Sequence, residues 1–156
     1  MGNLIKRLAV DLLLPPKDIV SLINSAPYRY RVYSIPKRSG RGTRIIAQPT
    51  PAVKELQYWV MNNILSRLPT HESATAYKLG YNIAANAIPH AANTFLLKLD
   101  FANFFNSIRP SDFSILISNT LPEYDAIDLQ YLVRILFWKV KEPRELVLSV
   151  GAPSSP

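Results

Sequence analysis

Hydrophobic positions recur along this chain at spacings that change from helical to alternating and back. Leu4, Ile5, Leu8, Leu12 and Leu13 fall on one helical stripe, and Pro15-Pro16 ends it. Pro16 suits the first position of a second helix, which would pack Ile19, Val20 and Ile23 before Pro27 closes it. From Tyr28 the period drops to two. "YRYRVYSIP" alternates basic with aromatic or aliphatic residues, "RSGRG" supplies a turn, and "TRIIAQP" returns, so residues 28 to 48 predict a hairpin. Alternation puts Arg29 and Arg31 on one face and Tyr28, Tyr30 and Val32 on the other. Pro36 assigns the first strand to an edge.

Helical spacing resumes at Ala52, with Val53, Leu56, Val60, Ile64 and Leu68 on one stripe up to Pro69. Residues 70 to 93 are small and polar and read as a loop with a short helix. "TFLLKLDF" then predicts a strand buried on at least one face. Pro110 opens a helix with Phe113, Leu116 and Ile117 inward. Asp125 is placed to cap another, whose stripe is Leu129, Leu132, Val133, Leu136 and Phe137. Helices and a small antiparallel sheet make this an α+β chain, and no repeat or flexible linker divides its parts.

At 156 residues the chain has the length of one domain. With 48% hydrophobic and 19% charged residues it belongs with globular proteins. The absence of cysteine excludes disulfides, thiolate metal sites and thiol catalysis, and suits a reducing, cytoplasmic setting. No apolar run approaches the roughly 18 residues of a membrane span. Asp11 interrupts the signal-like opening, and Lys6 stands where a myristoylation signal wants Ser or Thr; membranes are not expected partners.

Charge sharpens the picture at one place. The formal net charge is +7, and Arg29, Arg31, Lys37, Arg38, Arg41 and Arg44 lie within the predicted hairpin with no acidic residue among them. Such a patch is the footprint of a polyanion site, or else a solvated basic hairpin. Asp100, at the end of the predicted strand, has two readings of the same kind. A strand end presents a carboxylate rigidly to a Mg²⁺ ion, yet an aspartate there also serves as a turn or cap. Phe104 and Phe105 read equally as core, and His71 and His90 as structural or surface residues without metal-ligand spacing.

Four segments in order change those odds: "YRVYSIPKRSGRGTRIIAQPT", "KELQYWVMNNIL", "NIAANAIPHAANTFLLKLDFANFFNSI" and "GAPSSP". Together they resemble the N-terminal half of bacterial reverse transcriptases, most like those of retrons and related phage-defence systems, over roughly residues 28 to 156. The resemblance implies a right-hand polymerase: a helical segment over 1–27, fingers over 28–93 and the beginning of a palm over 94–156. It implies that Asp100 binds catalytic Mg²⁺, with the backbone carbonyl of Phe101 on a second metal. Phe105 would be the aromatic gate that excludes a ribose 2′-hydroxyl. Lys37 and Arg44 would grip the triphosphate, Gly151, Ala152 and Pro153 would contact template base and nucleotide, and Arg29, Arg31, Arg38 and Arg41 would hold nucleic acid. Asn86 and His90 match a retron-like feature of structural role.

The expected partners are a structured RNA template, a DNA product, deoxynucleoside triphosphates, and an effector protein or complementing chain. Two departures accompany the resemblance. Ser149-Val150 replaces the family's Pro-Gln, so no glutamine amide is available to the sugar or template. The Tyr-x-Asp-Asp turn is absent, which leads us to expect a fragment inactive by itself, with exposed apolar surface near Asp100. The alternative expectation is a non-catalytic RNA-binding module acting with a partner chain.

Overall fold

The computed structural model describes residues 3–37, 40, 42–76, 80–142 and 144–155. Helix α1 spans Asn3–Asp11 and α2 spans Pro16–Ser25, followed by a 3₁₀ turn over Ala26–Tyr28. A hairpin of β1 (Tyr30–Pro36) and β2 (Thr43–Pro49) leads into α3 (Pro51–Asn63). Short helices α4 (Ile83–Ala87) and α5 (Phe104–Ser107) precede α6 (Pro110–Thr120) and α7 (Ala126–Leu136). A second hairpin pairs β3 (Trp138–Lys139) with β4 (Leu146–Val147).

The main core is helix on helix. Leu4, Ile5 and Leu8 of α1 meet Ile19 and Ile23 of α2, and Leu56 and Val60 of α3 join them. The far half of the chain supplies Ile117 from α6 and Leu132, Ile135 and Leu136 from α7. Proline placement delimits these helices: Pro16, Pro51 and Pro110 each occupy a first turn, where a missing N–H costs no hydrogen bond. Asp125 caps α7 as its position predicts, its Oδ1 accepting from the backbone N–H groups of Ile127 and Asp128, both at 2.8 Å.

Asp128 is buried. Its Oδ1 accepts from the backbone N–H of Leu4 at 3.4 Å, which joins the first turn of α7 to the start of α1. Burial, with Asp125 nearby, raises its carboxyl above the usual range, and the Leu4 N–H opposes that shift. α1 is held further by Trp59 Nε1 donating to Asp11 Oδ2 at 2.8 Å and by Arg7 lying over the Trp59 ring.

β1 and β2 pair antiparallel with Tyr30 opposite Pro49 and Pro36 opposite Thr43. A smaller core of Ala47, Trp138 and Val147 lies where this hairpin meets the second one, with Tyr30 and Val140 packed on it. Gln57, fully buried on α3, joins the two cores: its Nε2 donates to Tyr30 Oη at 2.9 Å and to the Ile135 carbonyl at 3.0 Å. Burial pushes the Tyr30 phenol up to about 12, against the pull of the Gln57 bond, so it stays neutral and available to that network.

Several expectations are corrected. "TFLLKLDF" is no strand: residues 95–101 belong to no helix or strand, and Phe95, Leu97 and Leu99 are exposed, Phe95 to 90%. A strand needs a ladder partner, and none of the described strands runs beside this segment. The α+β class holds, helices with small antiparallel pairing, and that pairing is divided between two two-stranded hairpins. The stretch before "GAPSSP" forms the second hairpin. α3 ends at Asn63, and a 3₁₀ turn over Leu65–Arg67 carries the chain to Leu68. Leu13, with φ 55, and Leu116 are exposed, lying past the end of α1 and on the outer side of α6. Arg29 precedes β1 rather than alternating within it, and its Nε donates to Ser25 Oγ at 2.8 Å. The hairpin-tip residues Arg38 and Arg41 lie outside the described residues.

Candidate nucleotide and nucleic-acid site

The two hairpins and the segment between Asp100 and Arg109 enclose an open cleft of about 720 Å³. Each wall has a local reason to be where it is. Lys37 follows β1 and closes the hairpin, its backbone N–H donating to Gly42 O at 3.0 Å, while Gly42 adopts φ 81, a region open to glycine. Arg44 stands on β2 opposite Ile35. On the other side, Asn103 takes the left-handed conformation (φ 53), which asparagine tolerates, and this reversal starts α5 directly after Asp100 and Phe101.

The aromatic run forms a chain of contacts. Phe101 lies 6.1 Å from Phe104, and Phe104 meets Phe105 edge-on at 5.5 Å. Phe105 is the more sheltered of the pair in α5. Lys37, Arg44, Asp100, Phe101 and Phe105 therefore line one cleft, although they are spread over nearly seventy positions of sequence.

The "GAPSSP" segment closes a smaller adjoining cavity of about 380 Å³, lined by Gly151, Ala152 and Pro153. Arg44, Phe105 and Val150 line both cavities, so they form the wall between them. The Val150 carbonyl accepts from Ala47 N–H at 3.0 Å, which docks this loop on β2. Gly151 has φ 118, and a Cβ there would stand 2.8 Å from Ile46 Cγ2. Glycine at this position is thus favoured by both its backbone conformation and its packing against the hairpin, and the tie at Val150 runs through the main chain and does not depend on its side chain.

No protein-family model matches the chain. Its sequence is similar to the retron Ec83 reverse transcriptase of Escherichia coli, 42% identical over 142 residues, covering 89% of this chain and 45% of that protein. The retron Ec73 reverse transcriptase of the same organism is 34% identical over 151 residues, covering 92% of this chain and 46% of its own length. The retron Mx65 reverse transcriptase of Myxococcus xanthus is 30% identical over 142 residues, with coverages of 81% and 32%. Over most of its own length the chain is a homologue of retron reverse transcriptases. It spans about half the length, or less, of the family members it matches.

Within this retron-type chain, the cleft also gathers residues that sequence reasoning passed over. Trp138, Arg109 and Glu145 also line it, the last two joined as an ion pair. Asn106 Nδ2 donates to the Leu148 carbonyl at 3.2 Å. Lys54 and Tyr58, one helical turn apart on α3, line the smaller cavity. The signal for these two was available, since they fall off the apolar stripe of α3. Arg109 and Glu145 had none: they are 36 positions apart, and only folding brings them together.

Other candidate residues stand elsewhere. Arg31 is exposed on β1 with its guanidinium 5.9 Å from the Tyr33 ring, available to phosphate but outside the cleft lining. Arg29 is engaged with Ser25. Asn86 accepts a hydrogen bond from the Thr75 hydroxyl at 3.1 Å, and His90 is exposed at the end of the α4 segment.

As a donor set for Mg²⁺, the cleft offers Asp100 and the neighbouring main-chain carbonyl of Phe101. Its other carboxylate, Glu145, is held by Arg109. Among the described residues no three acidic or histidine side chains group together as a metal cage. These two oxygen donors fit Mg²⁺ that also carries phosphate oxygens and water, rather than a site made entirely of protein. No helix among the described residues is long and apolar enough to cross a membrane.

Proposed function

We propose that this chain provides the nucleotide-facing part of a retron-type RNA-directed DNA polymerase. The carrying observation is the single cleft that collects Lys37, Arg44, Asp100 and Phe105 from separate elements. Kinship with retron reverse transcriptases supports the substrate class. In this reading residues 28–93 are fingers and 94–156 the beginning of a palm, behind a helical segment over 1–27.

Lys37 and Arg44 neutralise the triphosphate of an incoming deoxynucleotide. Arg44 gains directional hydrogen bonds from its planar guanidinium, whereas Lys37 acts as a point charge. Asp100 would hold one Mg²⁺ and the Phe101 carbonyl would serve a second; such ions, when bound, would offset phosphate charge and activate the attacking hydroxyl. Phe105 places a ring beside the sugar, where a 2′-hydroxyl would lose both space and hydration. Gly151, Ala152 and Pro153 form the surface for the paired template base. Arg31, with Arg29, Arg38 and Arg41, follows the backbone of a structured RNA template, with affinity that falls as salt rises. The biological setting is cytoplasmic antiviral defence with an effector partner.

The test is nucleotide binding by the chain itself. A labelled deoxynucleoside triphosphate with Mg²⁺ should bind more tightly than its ribonucleotide counterpart, and Arg44→Ala should weaken both. Phe105→Ala should bring the two sugars to equal affinity. Unchanged sugar preference in Phe105→Ala removes the gate, and no binding by the wild-type chain removes the reading.

One observation favours a second reading, in which the chain binds RNA without catalysis and joins a partner. Of the two carboxylates lining the cleft, one is already committed to Arg109, and two-metal chemistry requires more. Mixing with a polypeptide that carries a Tyr-x-Asp-Asp segment would then restore primer extension.

A further inference from the structure

Arg109 and Glu145 lie in the cleft but have no part in the function just described. Arg109 stands immediately before α6, at the end of the segment that carries Asp100 and Phe105, and its backbone N–H donates to Asp112 Oδ2 at 2.9 Å. Glu145 immediately precedes β4, where its carbonyl accepts from Val140 N–H at 2.9 Å. Both backbones are fixed, while both side chains remain about half exposed, at 48% and 46%. Each lines the same cavity as Lys37, Arg44 and Asp100.

We propose that Arg109 is a third phosphate-binding cation of the cleft and that Glu145 is its internal competitor, occupying the guanidinium until a polyphosphate displaces it. This rests on the reading of the cleft as a triphosphate site. A carboxylate and a phosphate present the same acceptor geometry to a guanidinium, so the two compete for one donor face. The pair is open to water and therefore weak, which lets a more highly charged triphosphate exchange with the carboxylate. The cleft lining holds these three cations together with two carboxylates, Asp100 and Glu145. Displacing Glu145 leaves the formal charge of the cavity unchanged but frees the Arg109 guanidinium to donate to phosphate oxygens.

A strut with no ligand role would behave differently. If the pair merely fastened the Asp100 segment to β4, breaking it from either side would loosen the site and weaken binding in both cases. Competition predicts opposite signs. Glu145→Gln should tighten binding about two- to fivefold, the factor set by an exposed ion pair. Arg109→Gln should weaken it at least about fivefold, as expected for a charge-assisted contact. In the double variant Glu145→Gln should have no effect, because its opponent is gone. Arg109→Lys should retain part of the affinity.

The experiment titrates the 156-residue chain with inorganic tripolyphosphate and with Mg²⁺–dTTP, at two salt concentrations, alongside thermal melts of every variant. Opposite signs for the two single variants, with similar melting curves, establish the competition. Weakening by both overturns it in favour of a strut, and no change in either overturns any role in binding. Arg44→Ala serves as the separate control. If wild type binds neither probe, or Arg44→Ala binds as well as wild type, the triphosphate reading fails. If that control behaves as expected and the signs agree, only the inference about Arg109 and Glu145 fails.

Discussion

The helical core and the segment from Phe95 to Phe101 carry comparable apolar content but have opposite fates. In α1, α2, α3 and α7 the apolar stripes close on one another, and Leu8, Ile19, Val60 and Leu132 have no exposure. Between Phe95 and Phe101 the alternation is as clear, yet Phe95, Leu97 and Leu99 face solvent. Each stripe in the core meets a neighbour of its own kind, and its helical backbone satisfies its own hydrogen bonds. An extended segment has no such independence: it needs another strand for its backbone and another surface for its side chains. Periodicity identifies a face, but a partner is what buries it.

That contrast can be broken most sharply by paired truncations. Leu132→Ala in the core should cost about 2–5 kcal/mol, the range for emptying a buried leucine site. Leu97→Ala in the exposed segment should change stability by less than about 0.5 kcal/mol. Urea unfolding of both variants checks the pair, and equal losses would show that the 95–101 segment is packed in solution.

The loop–hairpin junction should give a smaller effect. Gly151→Ala adds a Cβ 2.8 Å from Ile46 Cγ2 at a φ of 118, which should cost about 1–3 kcal/mol of strain. Because Val150 stands in the wall between the two cavities, nucleotide affinity should fall with it. Wild-type stability together with wild-type affinity would show that the loop is not seated on β2.

The smallest effect is a pH slope at Asp128. Its folded-state carboxyl is raised by burial, so the stability it contributes is present below its unfolded value and is lost as pH rises through the folded one. Asp128→Asn keeps an oxygen for the Leu4 N–H and removes the buried charge. Its stability relative to wild type should therefore climb as pH increases from the acid range toward neutrality. Denaturant titrations across that interval measure the difference, and a flat one would sink the assignment.

Much of this was legible before folding. Pro16, Pro51 and Pro110 marked helix starts, Asp125 marked a cap, and "RSGRG" marked the hairpin that brings Lys37 and Arg44 together. Motif order also put Asp100 and Phe105 in one site with that hairpin, and the cleft does contain all four. What escaped was whatever depended on a distant partner. Gln57 shares the inward face of α3 with Val53, Leu56 and Val60, but its role as a bridge exists only because Tyr30 and Ile135 arrive beside it.

By itself, then, the sequence determined the helices, the basic hairpin and the family, because these rest on local spacing, proline and glycine geometry, and ordered motifs. Tertiary structure alone decided that the "TFLLKLDF" run stays outside any strand, that Gly151 is pressed against Ile46, and that Arg109 meets Glu145 in the cleft lining. Each of those outcomes depends on what lies opposite in space, and local chain periodicity carries no record of that.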